Sequence, residues 1–362
     1  MLYKENWEET KKRFDALWEN EVIDRCCIAI RAIKNGSSYN AEMYARPQKQ
    51  NELISYYTDI DRVLERNLAE FQGTYYAGEA LPVINPTWGD SGYALYCNSD
   101  YKYLGNTTWF TPTIKDWDTD EIGFNKNPEV IKKHIEFVKT IAKEAKGKFL
   151  MSTPDYIGNL DGLINLRGVE DTIIDLIDDP DRIKSGIKTM MNAVKTVGSE
   201  YFETINEACD GGSAFAWYDT WAKGRHNLVQ CDFSAMISPQ MFEEFVLPDL
   251  TETCDWLDYP VYHLDGQEQV RHLDMILSVK NLKMVQWTNV AGQPSKLNFI
   301  PVFKKIQEAG KGLLIFANVA ETEILLSELS PKGLFINYNG DNMTEDEANA
   351  FIKRVASLTK NR

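Results

Sequence analysis

Apolar residues first recur at helical spacing. In "NWEETKKRFDALWENE" they bring Trp7, Phe14, Leu17 and Trp18 to one face and leave the charges elsewhere, which predicts an amphipathic helix. The pattern then shortens. "CCIAIRAI" is a brief apolar run with strand character, and "NELISYYTDIDRVLERNLAEF" returns to helical spacing. "LPVINPTWGDSGYALYCNSD" is dense in Pro, Gly, Asn and Asp and predicts a loop, whereas "NTTWFTPTIKDWD" has the β-branched and aromatic content of a strand.

From Asn127 the two patterns alternate. "NPEVIKKHIEFVKTIAKEAKG" carries an Asn cap, a Pro in the first turn and Gly147 at its close. The strand "KFLMSTPD" follows, then a long helical stretch broken at Pro180. After it, strand-like and helical segments succeed one another: "HNLVQCDF", "SPQMFEEFVLPDLTETCDWLD", "YPVYHLD", "QVRHLDMILSV", "LKMVQWT", "FIPVFKKIQEAG", "KGLLIFANV", "ETEILLSELSPKG", "LFINYNG" and "TEDEANAFIKRVASL".

Alternation this regular predicts a parallel sheet, and strands that are nearly all apolar suit burial on both faces. Counting "CCIAIRAI" or the region near Tyr75–Ile84 gives about eight strands, so the expected fold is α/β, a (β/α)8 TIM barrel with an N-terminal helical and loop extension. Residues 1–125 are expected to pack on the barrel and residues 126–362 to form its main part, within a single structural domain. A doubly wound open sheet is the alternative, but no GxGxxG follows the early strands and no P-loop is present.

Composition narrows the class. With 54 acids against 39 bases the formal charge is −15, a surface that repels phosphate backbones, so nucleic acid is not an expected partner. No apolar run approaches the roughly 20 residues of a membrane helix, and charges crowd the start of the chain, so no membrane association and a cytoplasmic location are expected. The six cysteines show no CxxC and are expected reduced and buried. Barrels commonly associate, which leaves a homodimer open.

A parallel barrel works at the carboxyl ends of its strands. Those ends offer Asp155 and Tyr156, then Asp232, then His263 and Asp265, then Gln286 and Trp287, Asn318, and finally Tyr338, Asn339 and Asp341. His263 and Asp265 are two apart, hence on one side of an extended chain, and Gly266 permits a sharp exit. Three readings stand side by side. They hold a metal, with Cys231 or Asp232 as third ligand; they form an acid–base pair; or they brace the barrel mouth. His134 and His272 read as solvated or packing groups, and His226 as a loop residue. Trp88, Trp109, Trp217, Trp221 and Trp287, with Tyr93, Tyr96 and Tyr218, fall in or beside loop-rich stretches, where flat faces suit a planar ligand.

"SPQMFEEFVLPDL", then "YHLDG" at the end of the next strand, then "ELSPKGLFINYNGDN" before the last helix, together resemble the uroporphyrinogen decarboxylase superfamily, from Lys148 onward. The resemblance implies a (β/α)8 barrel and one of two activities. The decarboxylases use an Arg-rich early segment and a histidine near the last strand, and neither stands here. The methyltransferases pass methyl groups with corrinoid proteins and carry zinc on an HxC motif. His263-Leu264-Asp265 occupies that position with Asp for Cys, and no Cys follows Cys254. The resemblance thus implies a methyltransferase or demethylase acting on a small methylated substrate, aromatic compounds among the options, with corrinoid on a partner protein. Zinc would sit on His263 and Asp265. In this reading His263, Asp265, Asp155 and Tyr338 are catalytic, and Trp88, Trp109, Trp217, Trp287, Asp232, Gln286, Asn318 and Asn339 bind substrate. The alternatives are a metal-independent decarboxylase or lyase, with Asp265 or Asp155 as proton donor and Arg167 or Arg225 orienting a carboxylate, and a non-catalytic binding protein on the same fold.

Overall fold

The computed structural model describes residues 1–89, 92–105, 107–124, 128–153 and 156–360. Asp155 therefore lies outside the described residues. The strands, in chain order, are β1 (Cys27–Ile33), β2 (Thr74–Gly78), β3 (Val83–Ile84), β4 (Asp100–Leu104), β5 (Thr107–Thr111), β6 (Leu150–Met151), β7 (Ser213–Phe215), β8 (Thr220–Ala222), β9 (His226–Val229), β10 (Tyr259–Asp265), β11 (Met284–Thr288), β12 (Gly312–Ala317) and β13 (Leu334–Tyr338).

Seven strands form the central sheet in the order β2-β1-β13-β12-β11-β10-β9. Every pairing from β1 round to β9 is parallel, as the βαβ rhythm requires. Only β2 runs against its neighbour β1. The helices Gln50–Thr58 and Ile60–Gly73 leave the chain at the carboxyl end of β1, with Thr74 opposite Ile33, so β2 can only run back down. Gly78 (φ +60°) then reverses the chain, and a Cβ there would lie 2.0 Å from the Ile28 carbonyl oxygen. Between the two sheet edges lie the parallel β3–β6 pair and single bridges joining Ser152 to Ala214 and Ile157 to Val229. Of the expected ring of eight parallel strands, the described ladder holds a continuous arc of six, with β2 as an antiparallel edge and a fragmentary remainder. β4–β5 is an antiparallel hairpin outside it, and β7–β8 is another, tied in through the Ser152–Ala214 bridge.

Strand alternation divides the core in two. Cys27, Ala29, Leu228, Val261, Met284, Leu314 and Phe335 share one apolar cluster with Trp7, Phe14, Leu17 and Trp18 of the first helix, Trp7–Trp18. That helix closes the amino ends of the strands: Phe14 stacks on Phe335 at 6.1 Å, and Trp18 lies 5.1 Å from His226 and 5.3 Å from Tyr259. The alternate residues, among them Ile28, Tyr262, Leu264, Val285, Leu313 and Ile336, pack outward against Phe303, Leu325 and Val355 of the surrounding helices.

Several charged and polar groups inside this core are paired. Glu79, fully buried, accepts two hydrogen bonds from Arg25 at 2.7 and 2.8 Å and one from the Ile28 amide at 2.8 Å. Beside it the Lys4 ammonium donates to the Tyr76 and Gly78 carbonyls, and burial lowers it to about 7. The other histidines are structural. His226 opens β9 rather than a loop, with Nδ1 2.7 Å from the Tyr259 carbonyl oxygen and Nε2 2.8 Å from Thr220 Oγ1. His134 bridges Tyr96 and the Pro86 carbonyl, and His272 stacks on Phe242 at 4.4 Å; both are buried packing groups, not solvated ones.

Two outcomes test this account. Glu79→Leu strands the buried Arg25 guanidinium and is expected to cost about 3–5 kcal/mol in urea denaturation. Asp249, in the helix Leu247–Trp256, is pushed by burial from 3.8 up to about 7 against the opposing hydrogen bond from Asn159. Because its folded pKa exceeds the unfolded one, the folded state keeps a proton that the unfolded state releases between about pH 4 and 7, so stability falls as pH rises through that window. Asp249→Asn should remove that decline, seen as a variant-minus-wild-type Tm difference that climbs from about pH 4 to 7 and then levels.

Candidate active site

The alternation that sends Val261 into the lower core sends His263 and Asp265 to the same side two and four residues later. Parallel register sets His263 beside Gln286 and Asp265 beside Thr288 on β11. Gly266 (φ +81°) turns the chain out immediately afterwards, where a Cβ would lie 2.6 Å from Gln293 Nε2. The neighbouring strand β9 ends at Val229, and the chain beyond it delivers Asp232 to the same place. One donor atom from each of Asp232, His263 and Asp265 lies within 4.8 Å of the others.

Each member is held differently. His263 is 4% exposed; its Nδ1 lies 2.5 Å from Gln286 Oε1 and 3.2 Å from the Tyr218 hydroxyl, while Nε2 faces Asp265 Oδ1 at 3.9 Å. Burial lowers the imidazole pKa, against the raising effects of Gln286 and Asp265, which favours the neutral ring. Tyr218 is fully buried and donates to Gln286 Oε1 at 2.8 Å. Asp232 is exposed to solvent beside the buried His263. Desolvation there, followed by the nearby Asp161 and Asp265 carboxylates, pushes it up to about 8. Asp161, in the first turn of the helix Asn159–Arg167, accepts from the Asp232 and Phe233 amides at 2.9 and 3.1 Å and so fixes the segment that carries Asp232. Neither Asp161 nor its partnership with Asp232 has a signal in the sequence, because 71 positions separate them.

Beside this group a cavity of about 700 Å³ is walled by Trp217, Phe316, Trp287, Thr288, Lys296 and Tyr338, among others. Trp217 links the two, with its ring 5.1 Å from His263 and 6.3 Å from Phe316. A smaller cavity of about 350 Å³ shares Trp217, Tyr338 and Asn339 and adds Arg31, Asp219 and Asn337. Arg31 is clamped there by Asp219 at 2.9 Å. It went unremarked in the sequence, although it is the lone charge in "CCIAIRAI".

The residues expected at the site divide. His263, Asp265, Asp232, Gln286 and Trp217 converge. Tyr338 and Asn339 line the cavities, but Tyr338 alternates to the outer side, where its ring meets Phe351 and its hydroxyl donates to the Asp341 carbonyl at 2.9 Å. The inward neighbour is Asn337. Asn318 caps the helix Val319–Glu328, accepting from the Glu321 amide, so its side chain serves the helix end. Trp287 is 1% exposed and packs on Phe299 and Phe303 in the outer layer at 4.5 and 5.5 Å. Trp88 stacks on His134 at 4.6 Å, and Trp109 is 59% exposed on the β4–β5 hairpin; neither is in the wall of these cavities. Cys231 is buried, its thiol pushed far up by burial, and Asp232 is the third member of the donor group. The arginines of the decarboxylase alternative lie elsewhere. Arg167 is held by Asp175 at 2.7 Å, and Arg225 precedes β9 at the amino ends of the strands beside Asp258.

No protein-family model matches the chain, and no curated protein gives a significant sequence match. A solved structure does match in fold: a methyltransferase from Methanosarcina mazei, at a TM-score of 0.63 and 12% identity, over 97% of this chain and 98% of that one. Among the described residues no helix is long and apolar enough to cross a membrane.

The placement of Trp287 is testable. Trp287→Ala empties the layer between β11 and the helix Ile300–Glu308 and is expected to cost about 3–5 kcal/mol of stability. An unchanged urea midpoint would return the ring to the role of cavity wall alone.

Proposed function

We propose that the chain is a methyltransferase of the uroporphyrinogen decarboxylase-like type on a (β/α)8 barrel, moving a methyl group from a small aromatic donor to a corrinoid carried by a partner protein. The observation that carries this reading is the convergence of Asp232, His263 and Asp265 beside an aromatic-walled cavity at the carboxyl ends of the strands. The fold likeness to a methyltransferase over nearly the whole chain supports it. The β3–β6 pair and the two bridges beyond it, which partly span the gap between the sheet edges, support barrel closure.

The donor set fits a divalent cation. His263 offers Nε2, which has no hydrogen-bond partner in the described structure, and two carboxylates face it without a lysine or arginine between them. Zinc is the ion that the resemblance names, and one imidazole with two carboxylates forms an oxygen-rich site that also suits harder ions. When bound, the cation supplies Lewis acidity that offsets negative charge on the oxygen released from the donor. The protein's own groups do the rest. Trp217 and Phe316 seat the planar part of the donor, the buried floor beneath His263 excludes water, and Asp161 keeps Asp232 in place. The two adjoining cavities, which share Trp217, Tyr338 and Asn339, would receive the donor and the methyl acceptor.

Metal analysis by mass spectrometry, paired with an anaerobic assay of cob(I)alamin methylation from aryl methyl ethers, tests the reading. Stoichiometric metal and methyl transfer are expected in the wild type, and both should vanish in His263→Ala. A wild-type protein that takes up no divalent ion and methylates no cobalamin from any such donor would end it.

A further inference from the structure

We infer that Gln286, braced by Tyr218 and Thr288, is a positioning residue that holds His263 as its Nδ1–H tautomer and thereby turns the Nε2 lone pair toward Asp232 and Asp265. The role in metal holding rests on the function proposed above; the tautomer itself does not.

An amide oxygen only accepts hydrogen bonds. At 2.5 Å from Gln286 Oε1, Nδ1 must carry the shared proton, because two lone pairs would otherwise collide. The same oxygen accepts from Tyr218 at 2.8 Å, which uses both of its lone-pair directions. The amide nitrogen donates to Thr288 Oγ1 at 2.9 Å, so the far end of the side chain is engaged too. Trp217 covers the imidazole at 5.1 Å, and the ring is 4% exposed, which leaves little water to compete for Nδ1. Neighbouring strands hold the two side chains in register, so the contact is built into the sheet.

The orientation of one amide therefore selects between two chemistries. With oxygen toward the histidine, Nε2 is a bare lone pair beside two carboxylates, which suits a cation. With the amide reversed, Nδ1 would accept and Nε2–H would point at Asp265, an acid–base dyad instead. The first arrangement is the one in the structure, with Tyr218 donating to the amide oxygen and Thr288 accepting from the amide nitrogen. Gln286, expected from sequence to touch substrate, acts in this inference through His263.

The test uses metal-free, ¹⁵N-histidine-labelled full chain at neutral pH, with His263 identified by comparison with His263→Gln. Two-bond ¹H–¹⁵N correlations should show a protonated Nδ1 and an unprotonated Nε2. Gln286→Leu should shift the ring toward Nε2–H, whereas Gln286→Glu and Tyr218→Phe should keep the wild-type pattern. Zn²⁺ affinity by chelator competition should fall about 10–100-fold in Gln286→Leu and recover in Gln286→Glu. A wild-type ring protonated at Nε2, or a Gln286→Leu ring with an unchanged pattern, overturns the inference. Nδ1–H found in a protein that binds no ion upholds the tautomer while removing the metal reading. If Gln286→Leu does not fold, the wild-type spectrum and Gln286→Glu still decide.

Discussion

Two-residue alternation along parallel strands governs this molecule. On β10, β11, β12 and β13 every second side chain enters the interior, and register stacks the entries into layers. Val261, Met284 and Phe335 belong to an apolar floor sealed from below by the helix Trp7–Trp18. One step higher on β10 and β11 the residues are His263 and Gln286, and above them Asp265 and Thr288. A slip of one position in β10 would exchange His263 for Leu264 and close the polar layer. The site depends on register before it depends on any single hydrogen bond.

That floor sets the electrostatics above it. Burial above that floor lowers the His263 pKa, and desolvation, reinforced by Asp161 and Asp265, raises that of Asp232. Three acidic groups around one imidazole are mutually repulsive unless protons or a cation intervene. Elsewhere several buried charges are paired: Arg25 with Glu79, Arg167 with Asp175, and Asp219 with the partly exposed Arg31. Asp232 and Asp265 meet no lysine or arginine in the described residues. A cluster of carboxylates left without a base at the strand ends suits a cation-holding or proton-handling site.

Much of the fold was legible in the pattern of apolar residues. "YPVYHLD" coincides with β10, and "CCIAIRAI" and "LFINYNG" contain β1 and β13. The first helix buries the four residues its spacing selected. The antiparallel β2 was not legible, because strand direction follows from where the preceding helices leave the chain, and no residue type records that. The site was legible where donors share a strand. His263 and Asp265 are linked by a spacing of two, a local fact. Tyr338 and Trp287 were chosen by proximity to a strand end without regard to parity, and alternation carried both to the helix side. Asn318 bears a polar side chain at a strand end for a different reason, the cap of the next helix.

The sequence by itself determined the element order, the parallel character of most of the sheet and the pairing of an imidazole with a carboxylate on one strand face, because each follows from periodicity within a few residues. Only the tertiary structure decided that Asp232 rather than Cys231 completes the group, that Asp161 steadies it, and that Gln286 and Tyr218 meet His263. Those contacts join segments separated by 23 to 71 positions. Their distances depend on sheet register and helix packing, which no local pattern encodes.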